Sequence, residues 1–290
     1  MLLRITAILF PIFAIVGAGY FYGRRHRPEM AVANRLNMDV FVPALVFSAM
    51  AGKTFELAAF GWLALGALVL LLAMGALAWP LAGWMGVQRK TFVPPMMFNN
   101  SGNIGLPLAL LTWGEAALPA AVILFMVENT LHFSLGAKML DPATRLLQLW
   151  RIPVVAAAVA GLAVAVTGVQ LWQPLLIAIR MLGDVSIPLL LFALGVRLTG
   201  VSFADWKVAA VGATLRPLAG MALAWALAQA LQLPPQQAAM LLVYGALPPA
   251  VLNFLFAERY RQEPERVASI VLIGNLGALV FLPLALAIVL

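Results

Sequence analysis

Residues 99–107 read NNSGNIGLP, in the middle of a long apolar segment where leucine and valine would be ordinary. Asn99, Asn100 and Asn103 offer amides, Ser101 a hydroxyl, and Gly102 and Gly105 a permissive backbone. Pro107 has no N–H, and its ring clashes with the carbonyl four residues back, so regular helix is predicted to fail near Asn103. Helix interrupted in lipid leaves unpaired N–H and C=O groups, each costing several kcal/mol. The interruption is tolerated only inside protein or beside a water-filled cavity, where half-helix ends present partial charges to ions.

The rest of the chain supplies that protein interior. Of its 290 residues 64% are hydrophobic and 10% charged, against about a quarter charged in soluble domains. The composition predicts an all-α integral membrane protein, with the lipid bilayer as its partner. The formal net charge of +7 does not indicate nucleic acid, because the basic residues are confined to short loops. There is no cysteine, hence neither disulfide nor thiolate metal site. Residues 1–22 lack the n-region and cleavage site of a signal peptide and read as a first span.

Ten segments have the length of a membrane helix: 3–22, 31–51, 58–83, 92–112, 116–138, 152–169, 174–197, 206–231, 236–257 and 267–289. Alternating the loops gathers Arg24, Arg25, Arg27, Arg35, Arg89, Lys90, Lys138, Arg145, Arg151, Arg197, Lys207, Arg259, Arg261 and Arg266 on one side. Arg4 and Lys53 fall on the other. The positive-inside rule then predicts a multi-pass protein of the inner (plasma) membrane with both termini outside. Trp62, Trp79, Trp113, Trp172 and Trp206 fall near span ends, as interfacial anchors do.

The chain repeats itself. RLNMDVFVP at 35–43 matches RMLGDVSIP at 180–188, and ALAWPLA at 76–82 matches ALAWALA at 222–228. Pro94, Pro95 and Pro107 are echoed by Pro234, Pro235 and Pro248, and Asn129 by Asn275. The offset is close to half the chain, dividing it into 1–145 and 146–290 with five spans each. An odd number of spans forces the two halves to insert with opposite orientation, the inverted-repeat plan of many secondary transporters. The partner of span 4 is span 9, YGALPPAVLN at 244–253, where Pro248 and Pro249 interrupt the hydrogen-bond ladder.

Two interruptions meeting at mid-depth form a candidate substrate site: Asn99, Asn100, Ser101, Gly102, Asn103, Gly105 and Pro107 with Pro248, Pro249 and Asn253. The plainer reading is that these groups only satisfy freed backbone. Arg216 and Glu128 sit near span centres, where charge is expensive and usually functional. Arg216 reads as an attractor of an anionic substrate and Glu128 as a coupling site for a proton or sodium ion; alternatively they neutralise each other. Asn129 and Asn275 are candidate cation ligands or interhelical hydrogen bonds. Asp39 and Asp184 stand four residues after Arg35 and Arg180, which reads as a gate, a proton site or a structural ion pair. His132 reads as a hydrogen-bonded histidine or a proton shuttle. No H-E-x-x-H, G-x-S-x-G or phosphate-binding loop occurs, so neither enzyme nor ATP-driven pump is indicated, and neither cofactor nor metal is called for.

Taken together, ten spans in inverted fives, N-x-G-x-x-G-[IL]-P carried by Asn100, Gly102, Gly105, Leu106 and Pro107, and a proline break in span 9 resemble the auxin efflux carrier family. That family includes bacterial malonate and malate permeases and is distantly similar to bile acid sodium symporters. The resemblance implies a scaffold of spans 1, 2, 6 and 7, a moving core of spans 3–5 and 8–10, and spans 4 and 9 crossing within the core. It also implies transport of small organic anions and a homodimer formed through the scaffold. An anion channel, or a receptor that binds without translocating, is the alternative on the same residues.

Overall fold

The computed structural model describes residues 1–51, 57–144, 153–200 and 205–290. Lys53, Arg145 and Arg151, used above to orient the chain, lie outside the described residues. Among those described, every regular element is helical; the sole β feature is an isolated bridge between Asn99 and Pro249. Six helical stretches are long and apolar enough to cross a membrane: Leu2–His26, Gly61–Trp84, Glu115–Leu140, Gln173–Arg197, Trp206–Ala230 and Pro264–Val289.

In chain order, α1 is Leu2–His26, and α2 (Ala31–Leu36) runs through a π turn, Asn37–Phe41, into α3 (Val42–Met50). α4 is Gly61–Trp84 and α5 is Arg89–Met97. A second π turn, Ser101–Gly105, leads into α6 (Leu106–Trp113). α7 (Leu118–Leu131) passes through a third, His132–Gly136, into α8 (Ala137–Leu140). The second half holds α9 (Pro153–Thr167), α10 (Gln173–Arg197), α11 (Trp206–Ala230), α12 (Pro235–Ala246), α13 (Leu252–Arg259) and α14 (Pro264–Val289). The first and third π turns interrupt α-helix and the second opens one; such short turns are frequent at functional sites.

The helices pack in two groups. α1 lies along α10, and α3 packs on α9 and α10. In the other group α4 packs on α5, α7 and α11, while α11 packs on α12 and α14. Glycines set the closeness of these crossings. A β-carbon at Gly195 would collide with the Val16 carbonyl oxygen and lie 2.8 Å from the Tyr20 nitrogen. Gly19 meets Phe192 and Gly23 meets Val196, so α1 and α10 run parallel and Arg197 shares an end with Arg24–Arg27. Gly220 and Gly245 bring α11 and α12 into backbone contact. Where lipid replaces water, such small-residue contacts let helices gain packing energy that apolar burial cannot supply.

The interruptions differ in origin. In the second half Leu247 is extended (φ −59°, ψ 141°), the conformation a following proline favours, and helix resumes at Leu252. In the first half helix stops at Met97, earlier than Pro107 predicts. Pro107 stands at the start of α6, where a missing N–H is harmless, and the wide turn before it absorbs the ring. Residues 98–100 are held open instead by their partner: Asn100 N–H donates to the Pro248 carbonyl at 2.8 Å, and Ala250 N–H donates to that of Phe98 at 3.0 Å.

Candidate functional site

These two backbone bonds and the Asn99–Pro249 bridge join the two non-helical segments at one point, the crossing of residues 98–100 with 248–250. Side-chain amides fasten it. Asn99 Nδ2 donates to the Tyr244 carbonyl at 3.0 Å, and Asn253 Nδ2 donates to those of Ala250 (2.9 Å) and Phe98 (3.2 Å). Asn100 Nδ2 donates to Asn275 Oδ1 at 2.9 Å; Asn275 Nδ2 in turn donates to the carbonyls of Pro249 and Val271, at 3.0 and 2.7 Å. Each net hydrogen bond is worth about 0.5–1.5 kcal/mol, but leaving a buried partner unmade costs about 1–3 kcal/mol. The crossing is therefore held by the penalty for opening it.

Arg216 belongs to the same structure. Its guanidinium is buried and donates to the carbonyls of Gly245, at 3.3 Å, and Leu247. Both lie at the C-terminal end of α12, where the helix dipole is negative and the last carbonyls lack intrahelical donors. No ion pair joins Arg216 to Glu128 among the described residues.

Glu128, buried on α7, accepts from Ser101 Oγ at 3.1 Å through Oε2, and its Oε1 lies 2.9 Å from His132 Nδ1. The i,i+4 spacing puts carboxylate and imidazole on one helix face. The imidazole is stacked on Phe98 (centroids 4.2 Å apart, planes at 9°), with Phe256 at its edge, and Nε2 is buried with no partner among the described residues. Packing thus fixes the ring while one nitrogen addresses the carboxylate.

Beside the crossing lies a cavity of about 400 Å³, the size of a small-ligand site. Six asparagines line it: Asn34, Asn37, Asn99, Asn100, Asn103 and Asn129. Asp39, Glu128 and Arg197 are its charged residues. Each of the three π turns contributes lining, through Asn37 and Asp39, Gly102 and Asn103, and Phe133. Asn103 and Asn129 make no side-chain hydrogen bond among the described residues, and Asn99 Oδ1 is buried without one. The opening N–H groups of the turn at Ser101 lack intrahelical acceptors and favour negative charge. Because Arg197 and Asn34 line the cavity, it belongs to the end of the molecule that carries Arg24–Arg27. On the other side of the crossing, Ser101, Gly105 and Tyr244 border a void of only about 20 Å³.

The structure brings together Asn99, Asn100, Gly102, Asn103, Glu128, Asn129 and Asp39 at the large cavity. Pro107, Pro248, Pro249, Asn253, Asn275 and Arg216 stand behind its lining. Asp184 and Arg180 are exposed on the outer face of α10, away from it. No ion pair links Asp184 to Arg180 or Asp39 to Arg35, and in the second case a π turn disturbs the four-residue register. Sequence reasoning passed over Asn34, Asn37 and Arg197. Asn34 and Asn37 are spaced i,i+3 before an apolar run and were visible in principle; Arg197 reads as one more basic residue at a helix end.

Residues 143–286 match the family model described as membrane transport protein. Over 299 aligned residues the chain is 26% identical to a curated protein of Rhizobium meliloti (strain 1021) named "Putative malonate transporter", covering 94% of this chain and 92% of that one. The resemblance to the auxin efflux carrier family read from the sequence is supported along most of the chain.

Proposed function

We propose that this chain, a membrane transport protein by that resemblance, is a secondary active transporter of small carboxylates such as malonate or malate. It would work by alternating access around the crossing. The observation that carries the reading is the cavity, where six amides and the start of a half-helix meet at the two interruptions. A receptor that binds without translocating would share these groups, and an anion channel on the same residues would differ by passing solute without saturation. Asn103 and the free N–H groups beside it take the substrate's carboxylate; Asn129 and Asn99 Oδ1 complete its polar surroundings. Asn100, Asn253, Asn275 and Arg216 keep the crossing in register.

The ten-span, inverted-repeat plan draws support from paired packing. α1 on α10 has its counterpart in α9 on α3, and α4 on α5 in α11 on α12. The α1, α2–α3, α9 and α10 group is then the scaffold and the other group the moving core. With both termini outside the inner membrane, the large cavity opens inward, toward the basic end. Exposed Arg180 and Asp184 half-way along α10 are poorly suited to lipid, which favours burial of that face in a homodimer.

Glu128 is the coupling site. Its two oxygens are engaged by a hydroxyl and an imidazole, an arrangement suited to a proton rather than to the several oxygen ligands a sodium ion requires. An anion entering alone moves against an inside-negative potential at about 2.3 kcal/mol per charge per 100 mV, so uptake needs such a proton. The test is uptake of labelled malonate into proteoliposomes under imposed pH or sodium gradients. Wild-type flux is expected to saturate and to follow the pH gradient, and Glu128→Gln to abolish that dependence. Non-saturating flux would mean a channel, and binding without flux a receptor.

A further inference from the structure

The crossing accounts for one wall of the cavity. The opposite wall, from α2 and α10, carries polar groups that the crossing does not use. Asn37 is 1% exposed, lines the cavity, and neither its Nδ2 nor its Oδ1 has a hydrogen-bond partner among the described residues. Arg197, the last residue of α10, lines the same cavity half-buried, with neither hydrogen bond nor ion pair among the described residues. Buried amides are ordinarily satisfied, and a guanidinium facing a cavity is a ready-made fork for a carboxylate.

We propose that Arg197 and Asn37 form a second carboxylate subsite, facing the one at the crossing, so that the substrate is a dicarboxylate held at both ends. This rests on reading the chain as a carboxylate transporter. Arg197 supplies the charge and Asn37 Nδ2 a neutral donor, while Asn37 Oδ1 accepts from a protonated carboxyl or a hydroxyl. The π turn at Asn37–Phe41 is the local cause, since it interrupts the α2–α3 helix at the residue whose amide lies unpartnered within the cavity wall. The subsite is on the α2–α10 group and the crossing on the other, so a ligand long enough to reach both would tie the groups together. A monocarboxylate would not.

The surrounding acids set a condition. Asp39 and Glu128 line the cavity, and Glu258 of α13 acts electrostatically on Arg197. His132 is in contact with Glu128, and Arg216 and Tyr244 act on it electrostatically, while Arg197 is the cation of the described lining; dianion binding should therefore be stronger where Glu128 is protonated than where all the carboxylates are ionised.

Equilibrium binding to the purified full chain tests this, with malonate and its half-amide, malonamate, as probes. The wild type should prefer malonate. Arg197→Gln should weaken malonate binding about 10- to 100-fold while leaving malonamate within about twofold, collapsing the preference. Arg197→Lys should keep part of it, as a point charge without the fork. Asn37→Asp, of the same shape, should weaken malonate more than malonamate. Thermal unfolding reports whether each variant is folded; if Arg197→Gln is not, the Arg197→Lys and Asn37→Asp preferences decide. Unchanged preference in these variants overturns the subsite while leaving the transporter reading intact. Asn103→Leu tests that reading separately and should weaken both probes. If the wild type binds neither probe, the transporter reading fails and the subsite with it.

Discussion

Arg216 illustrates what a single residue discloses and what it conceals. A charge at the centre of an apolar segment is conspicuous in sequence, and its burial follows from its cost in lipid. Its partners could not be read, because they are carbonyls at Gly245 and Leu247, some thirty positions away and without any side-chain signature. Arg216→Met should therefore act on the fold. Leaving two buried carbonyls unpaired should lower stability by about 2–5 kcal/mol, seen as a fall in melting temperature, with the preference among anions unchanged. Intact melting with weakened binding would return Arg216 to the substrate. The asparagines follow the same logic. Asn99, Asn100 and Asn103 were legible because an apolar segment has no other reason to hold them, whereas Asn37, near the start of a helix, looked ordinary.

Among the helical elements, prolines announced the interruption between α12 and α13, since two in succession disfavour helix at Leu247 and Pro248. They misled about the first half, where Pro107 falls harmlessly into α6 and tertiary pairing opens residues 98–100. Two of the three π turns, Asn37–Phe41 and Ser101–Gly105, end two residues before a proline, Pro43 and Pro107, whereas the third, His132–Gly136, has no such signal. Close helix contacts were also invisible, although their glycines were in plain view. Gly195→Val should abolish the α1–α10 contact, because the new side chain would meet the backbone of Val16 and Tyr20. Folded yield should fall sharply. Gly17→Ala, on the same pair of helices but with nothing within 4 Å of the added carbon, should be tolerated and gain up to about 1 kcal/mol in helix propensity. Equal yields from the two variants would show that the crossing is looser than its geometry.

For the molecule as a whole, hydropathy was enough to mark a multi-pass helical chain, and six of its helices have spanning length; the ten-span repeat remains part of the proposal. The grouping of helices was not legible: it depends on which faces meet, and α4 and α11 are apolar nearly all round. Orientation is testable because the chain lacks cysteine. Single cysteines at Arg25, Lys90 and Arg261 should be shielded from an impermeant thiol reagent outside the cell, and one at Leu290 labelled. A cysteine at Asp39, in the cavity, should react only from the side of Arg25. The reverse pattern would turn the cavity to face outward and exchange the two ends of the cycle.

The bond from Asn100 to the Pro248 carbonyl has a consequence in time as well as in space. Translation proceeds at about 5–20 residues per second, so the acceptor is synthesised on the order of ten seconds after the donor. Throughout that interval the nascent first half lacks the segment that opens residues 98–100, so their polar groups have no lasting partner, and Asn275 arrives later still. The polar groups that confer the site are therefore also what a newborn chain must have sheltered for it. A chain that stops short of Pro248 never acquires these acceptors, and the Asn100 amide stays unanswered in it.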